Sequence, residues 1–181
     1  MRVTDISFHY ETERLILRPA IIEDAAFYFR LMNSAKWLQF IGDRQLYSLE
    51  ATALYVQQKM LTAWEKHGFG TFTVIRWQDH TMIGTCGLFV RDGLNGVDLG
   101  FALLSEYEGK GYAYEAAARI KEVAFEEFHL QELLAIALPE NTASLKLLKK
   151  LGFHSVRTTT LPGDKEEVLL LKACPTGLSS A

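Results

Sequence analysis

The run Leu103-Leu104-Ser105-Glu106-Tyr107-Glu108-Gly109-Lys110-Gly111-Tyr112-Ala113 carries the strongest chemical signal in the chain. A strand-like segment ends, two glycines follow one residue apart, and a long helical pattern begins at once. The first four N–H groups of a helix have no partner within it and carry about half a positive charge between them. Glycine lets the main chain close around a ligand with no side chain in the way. Together these features make a seat for a diphosphate, to which Lys110 can add a direct charge. The plainer reading is a tight strand-to-helix turn with no ligand. Two other phosphate motifs do not fit. The Gly-Lys pair is followed by Gly111, where the ATPase loop needs Ser or Thr. A dinucleotide fingerprint needs a third glycine, and the strands before this turn look antiparallel. Histidines at 9, 67, 80, 129 and 154 show no paired metal spacing, and Cys86 and Cys174 lie far apart, so no metal is expected.

Several elements must position this turn. Arg14-Leu15-Ile16-Leu17-Arg18 reads as a short strand stopped by Pro19. Glu23 and Asp24 open a helix to about Asn33, and Ser48 caps a second one running to Lys66, with Gly68 as its stop. Residues 34–47 show no clear period. Three strand-like runs follow, Thr71 to Trp77, Met82 to Val90 and Val97 to Leu104, joined by short polar connections that suit antiparallel hairpins. Gly111 to Phe128 is the clearest helix, with Ala113, Ala116, Ala117, Ile120, Ala124 and Phe128 on one face. Leu133 to Leu138 is a short apolar strand, and Asn141 to Leu151 a helix ended by Gly152. Two last strands, about Phe153 to Thr159 and Glu166 to Lys172, flank Pro162-Gly163-Asp164. The pattern predicts one domain over 1–181, with its core at about 12–172 and a mobile tail over 175–181. It is an α/β (α+β) fold whose mixed central sheet has helices on its faces.

Composition bounds the function. Of 181 residues, 49% are hydrophobic and 23% charged, with a formal net charge of −3. That balance suits a globular protein with a proper core and gives no reason to expect a nucleic-acid or membrane partner. No apolar run reaches the roughly 20 residues a spanning helix needs. The first ten residues lack the apolar centre of a signal peptide, so a reduced, cytoplasmic protein is expected.

The turn at 106–111, with Asn141-Thr142-Ala143-Ser144 and Leu151-Gly152-Phe153 downstream, resembles the GNAT superfamily of N-acetyltransferases. The opening Thr12-Glu13-Arg14-Leu15-Ile16-Leu17-Arg18-Pro19 is similar to the branch that includes the ribosomal-protein N-terminal acetyltransferases. The resemblance covers about residues 12–172. It implies a mostly antiparallel sheet of about six or seven strands that takes acetyl-CoA as co-substrate. The amides of Gly109, Lys110, Gly111, Tyr112 and Ala113 would hold the coenzyme A diphosphate. Glu106 stands where the family has Gln or Arg. The strand end at Leu103 would bond the pantetheine arm through its main chain, in a cleft where this strand and the next parallel one splay apart. Asn141 would contact pantetheine, or serve as a plain helix cap.

Transfer of an acyl group from a thioester to an amine needs a base for the ammonium proton and a donor for the departing thiolate. Many members of the superfamily use a tyrosine as that donor; here its position is Leu148. The resemblance therefore points to Ser144 as the donor and Asp98 as the base. In plainer terms Ser144 is a helix-start hydroxyl and Asp98 an exposed strand carboxylate. The expected reaction is direct attack by a primary amine, on a protein N-terminus or a small molecule, with both substrates bound. The contrasting reading is a non-catalytic acyl-CoA sensor or assembly module, which the missing tyrosine favours. The acceptor and the choice between monomer and homodimer stay open at this point.

Overall fold

A computed structural model describes residues 8–163 and 165–175. One sheet runs through it in the spatial order β1 (Tyr10–Glu11), β2 (Leu15–Pro19), β3 (Thr71–Arg76), β4 (Thr81–Val90), β5 (Val97–Leu103), β6 (Leu133–Ala137), β8 (Val168–Ala173), β7 (His154–Thr159). Every neighbouring pair is antiparallel except β5 and β6, which run parallel and pair only at Asp98 and Leu134. The helices are α1 (Ala25–Met32), α2 (Ala35–Phe40), α3 (Leu49–Tyr55), α4 (Thr62–His67), α5 (Tyr112–Glu126) and α6 (Thr142–Lys150).

Side-chain alternation assigns the two faces. Leu15 and Leu17 of β2, Leu99 and Leu103 of β5, and Ala116, Ala117, Ile120, Val123 and Ala124 of α5 form one buried cluster, which Leu148 of α6 joins. The opposite face carries α1, α2 and the start of the third helical rod, where Tyr28, Leu31, Trp37, Val56 and Leu104 pack together. The α1 side is anchored by a polar network. Arg18 donates to both Asp24 oxygens at 2.7 and 2.6 Å, and Thr73 Oγ1 donates to Asp24 at 2.8 Å. Tyr28 Oη lies 2.9 Å from the same threonine hydroxyl. Asp24 is only 2% exposed, but its oxygens are well bonded, which is what makes a buried carboxylate tolerable.

The predicted element order holds with two additions and one subdivision. β1 has two residues and α2 six, both too short to show a period in the sequence. The helix expected from Ser48 is three segments, because the π turn at Val56–Leu61 separates α3 from α4. Ser48 does cap it, accepting from the Ala51 amide, and Gly68 ends it at φ 75°. The turn expected at Pro162-Gly163-Asp164 has Gly163 at φ 87°, while Asp164 lies outside the described residues. The predicted tail lies outside them as well, apart from Pro175.

Candidate active site

β5 ends at Leu103, and a 3-10 turn at Ser105–Tyr107 carries the chain to the two glycines. Gly109 has φ 70° and Gly111 φ 84°, both in the left-handed region that only glycine enters without strain. Gly111 is the residue before α5 and offers no side chain to cap it. Among the described residues, the amides of Gly109 through Tyr114 donate to no other group. A helix start bare of its own cap, fronted by two left-handed residues, leaves a row of donors unpaired. Such a row of donors suits an anionic group.

Neighbouring strands and helices brace the turn. Glu115, in the first turn of α5, accepts from Thr12 Oγ1 at 2.6 Å, from the Arg14 amide at 2.8 Å and from Arg14 Nε at 2.7 Å. Burial pushes the Glu115 carboxyl up, but the bonds from Thr12 and Arg14 outweigh it and leave the carboxyl below the usual range. Arg14 also donates to the Lys110 carbonyl at 3.0 Å, and its guanidinium lies 4.7 Å from the centre of the Tyr112 ring. Glu106, the departure from the family pattern, is paired with Arg30 of α1, and Glu108 with Lys36 of α2. These two acids are thus matched by cations on the far side of the turn. The Lys110 ammonium folds back and donates to the Glu106 carbonyl at 2.8 Å, which engages its charge within the turn.

Beside the turn the sheet opens. Leu104 donates to the Ile83 carbonyl at 2.9 Å, so the alternate residues Leu103 and Phe101 turn their peptide groups to the other edge of β5. That edge has no partner strand beyond Asp98, because β6 diverges there. The carboxyl ends of β5 and β6 lead into α5 and α6, and such an opening between parallel strands is where ligands enter mixed sheets. Asn141 sits at the start of α6, where its Oδ1 accepts from the Ser144 amide at 3.2 Å. Its side-chain nitrogen has no partner among the described residues. Ser144 is half-buried in the first turn of α6, and its hydroxyl likewise has no protein partner there. Leu148 is 2% exposed and belongs to the core under α6.

Asp98 is not the exposed strand carboxylate of the plainer reading. Its side chain is 1% exposed, and Arg91 Nε donates to its two oxygens at 2.8 and 3.0 Å. Burial raises its carboxyl above the usual range, and Arg91 partly opposes the shift. It points to the α1–α2 side of the sheet, since Leu99 and Leu103 point to the α5 side. Cys86 is fully buried and its thiol is pushed up to about 12, which removes it as a nucleophile. Trp37, on the α1–α2 side, holds a buried indole N–H that lacks a partner among the described residues. No group of three or more His, Cys, Asp and Glu is arranged to hold a metal there, and no described helix is long and apolar enough to cross a membrane.

Sequence reasoning did not find Glu115 and Arg91, nor the part Arg14 plays beside the turn. Arg14 and Glu115 are 101 residues apart, and only the packing of the segment before β2 against the start of α5 brings them together. Arg91 carried a weak signal, a cation seven residues from an acid across a hairpin.

The acetyltransferase (GNAT) domain family matches residues 14–154. The N-acetyltransferase YnaD of Bacillus subtilis (strain 168) is 28% identical over 146 residues, covering 81% of this chain and 82% of its own. The structure of an acetyltransferase from Agrobacterium tumefaciens str. C58 superposes with a TM-score of 0.78 at 26% identity, covering 92% of this chain and 94% of that one. RimL, a ribosomal L7/L12 alpha-N-protein acetyltransferase solved in complex with coenzyme A, superposes with a TM-score of 0.71. At 17% identity over 90% of this chain and 95% of its own, RimL shares the fold. The opened sheet and the uncapped helix are therefore those of an N-acetyltransferase, and the chain belongs to the GNAT acetyltransferase family.

Proposed function

We propose that the protein moves acetyl from acetyl-CoA to a primary amine held on the α1–α2 side of the sheet. The amine attacks the thioester directly, with both substrates bound. The observation that carries this is the row of unpaired amides from Gly109 to Tyr114, set at the mouth of the β5–β6 opening.

The residues divide the work as follows. The amides of Gly109, Lys110, Gly111, Tyr112 and Ala113 hold the diphosphate, and binding survives the change at Glu106 because main-chain groups make the contacts. The Leu103 peptide, facing the opening, bonds the pantetheine arm as an added strand would. Asn141 caps α6 with its oxygen and keeps its amide nitrogen for the same arm. Bound acetyl-CoA supplies the activated acyl group. The Ser144 hydroxyl donates a hydrogen bond to the departing sulfur, and the ammonium proton passes through water to the thiolate. Asp98 enters this reading through Arg91. Its 1% exposure and the arginine across its face support a role in orienting the guanidinium over one as the base.

Calorimetry with acetyl-CoA followed by free-thiol release with an amine panel tests the proposal. Binding and turnover are expected. The absence of any affinity for a CoA thioester would end it. The buried Leu148 favours one second reading, an acyl-CoA sensor, whose signature is tight binding with no turnover on any amine.

A further inference from the structure

Arg91 presents an arrangement that acetyl transfer alone does not require. Its Nε is occupied by Asp98, at 2.8 and 3.0 Å from the two oxygens. The guanidinium lies 5.1 Å from the centre of the Phe89 ring, and Nη2 is 3.6 Å from the place a Cβ on Gly100 would take. A carboxylate, an aromatic ring and a bare stretch of strand thus fix its plane. Nη1 and Nη2 have no partner among the described residues, and the side chain is 31% exposed while Asp98 is 1% exposed. The pair therefore turns its positive end outward and its negative end inward. A locked fork with both terminal nitrogens free is the donor set that takes a carboxylate through two parallel bonds.

Its position adds the second half of the argument. Gly100 lies two residues beyond Asp98, on the first stretch of β5 whose edge has lost its partner strand. It shares a face with Ala102, which packs against the α1–α2 cluster, while the diphosphate seat leads into α5 on the other face. Arg91 thus stands on the face of the sheet opposite α5, where the proposed function holds the amine.

We propose that Arg91 binds a carboxylate on the acceptor, and that the substrates are amines carrying a free carboxylate close by, as α-amino acids do. Asp98 is the positioning residue for that fork. The inference rests on the acetyl-transfer reading above, and the test separates the two.

The assay is thiol release from acetyl-CoA by the full chain, with free amino acids set against their amides. An amino-acid amide has the less basic amine and holds more of it neutral at a given pH, so a preference for the acid cannot come from amine protonation. The acids are expected to show kcat/KM about tenfold to hundredfold higher, the range for losing one charge-assisted contact. Because R91Q alone strands a buried carboxylate, the variant of choice is R91Q/D98N, which leaves a neutral pair. It should bring acids and amides within about twofold of each other while the calorimetric Kd for acetyl-CoA stays within about twofold of wild type. R91K, a charge without the planar fork, should restore part of the preference. Equal use of acids and amides by the wild type would overturn the inference, as would a preference that survives in R91Q/D98N. A carboxylate preference that moved to the donor, with succinyl-CoA favoured over acetyl-CoA in an Arg91-dependent way, would overturn it too. Acetyl-CoA binding with turnover only of amines lacking a carboxylate removes this inference and keeps the function. No acetyl-CoA binding at all removes both.

Discussion

Replacing Gly109 with alanine puts the proposed diphosphate seat to its hardest test. Gly109 has φ 70°, and a Cβ built on it meets nothing within 4 Å. The folded protein therefore feels only the left-handed backbone, about 1 kcal/mol for an L-residue. For a chain of this size that lowers Tm by about 2–4 °C. A bound diphosphate feels far more, because the methyl group stands beside the amides it would use. Losing two hydrogen bonds to charged phosphate oxygens costs about 3–6 kcal/mol, which is roughly 10²–10⁴ in Kd. Gly68 supplies the control, since it has φ 75° and equally open surroundings at the end of α4. G68A should match G109A in thermal unfolding and leave acetyl-CoA binding untouched. Calorimetric titration of the two variants decides the matter. If G109A kept its Kd within about threefold of G68A, the turn would be a tight connection and the phosphates would sit elsewhere.

Four further outcomes follow from particular side chains. S144A should lower kcat by about tenfold or more with KM for acetyl-CoA unchanged, and an unchanged kcat would leave Ser144 a plain helix-start hydroxyl. Asp98 holds its proton more tightly folded than unfolded, so its charge erodes stability as pH rises from the ordinary carboxylate value of about 4. Urea unfolding from pH 4 to 8 should show D98N gaining on the wild type as pH rises, and parallel curves would contradict the burial argument. Glu115 runs the opposite way, because its carboxyl is held low and its stabilisation is present above about pH 4 and lost as pH falls through the lowered value. E115Q should therefore cost about 1 kcal/mol at pH 7 and progressively less in acid, as seen by the same method. W37F deletes a buried N–H that no described group satisfies, an orphan costing about 1–3 kcal/mol, which offsets lost ring volume. Its net destabilisation should stay under about 1 kcal/mol, and a loss of several kcal/mol would mean the indole has a partner such as bound water.

The parts of this protein visible in its sequence are those fixed by local rules. The alanine face of α5, the glycines at 109 and 111 and the capping Ser48 each act within a few residues of themselves, and each stands where the pattern placed it. α2 escaped notice because six residues fall short of two turns. The π turn left no mark because it changes hydrogen bonding without changing composition. The supports of the turn were hidden for a different reason. Glu115 was legible as a first-turn acid, but its bonds to Thr12 and Arg14 depend on how the β1–β2 connection packs against α5. The same holds for Asp98, whose acidity was plain in the sequence and whose enclosure by Arg91 required the hairpin to be folded.

The eight strands are in effect two sheets, five on one side and three on the other, sewn together by one residue pair at Asp98 and Leu134. Beyond that stitch, β5 and β6 share no further paired residues among the described ones. A pantetheine arm lying in the seam would act as a surrogate strand and join the halves, so occupancy and mechanical coherence would rise together. The amides of Phe101 and Leu103 are where hydrogen exchange should slow most when the seam closes.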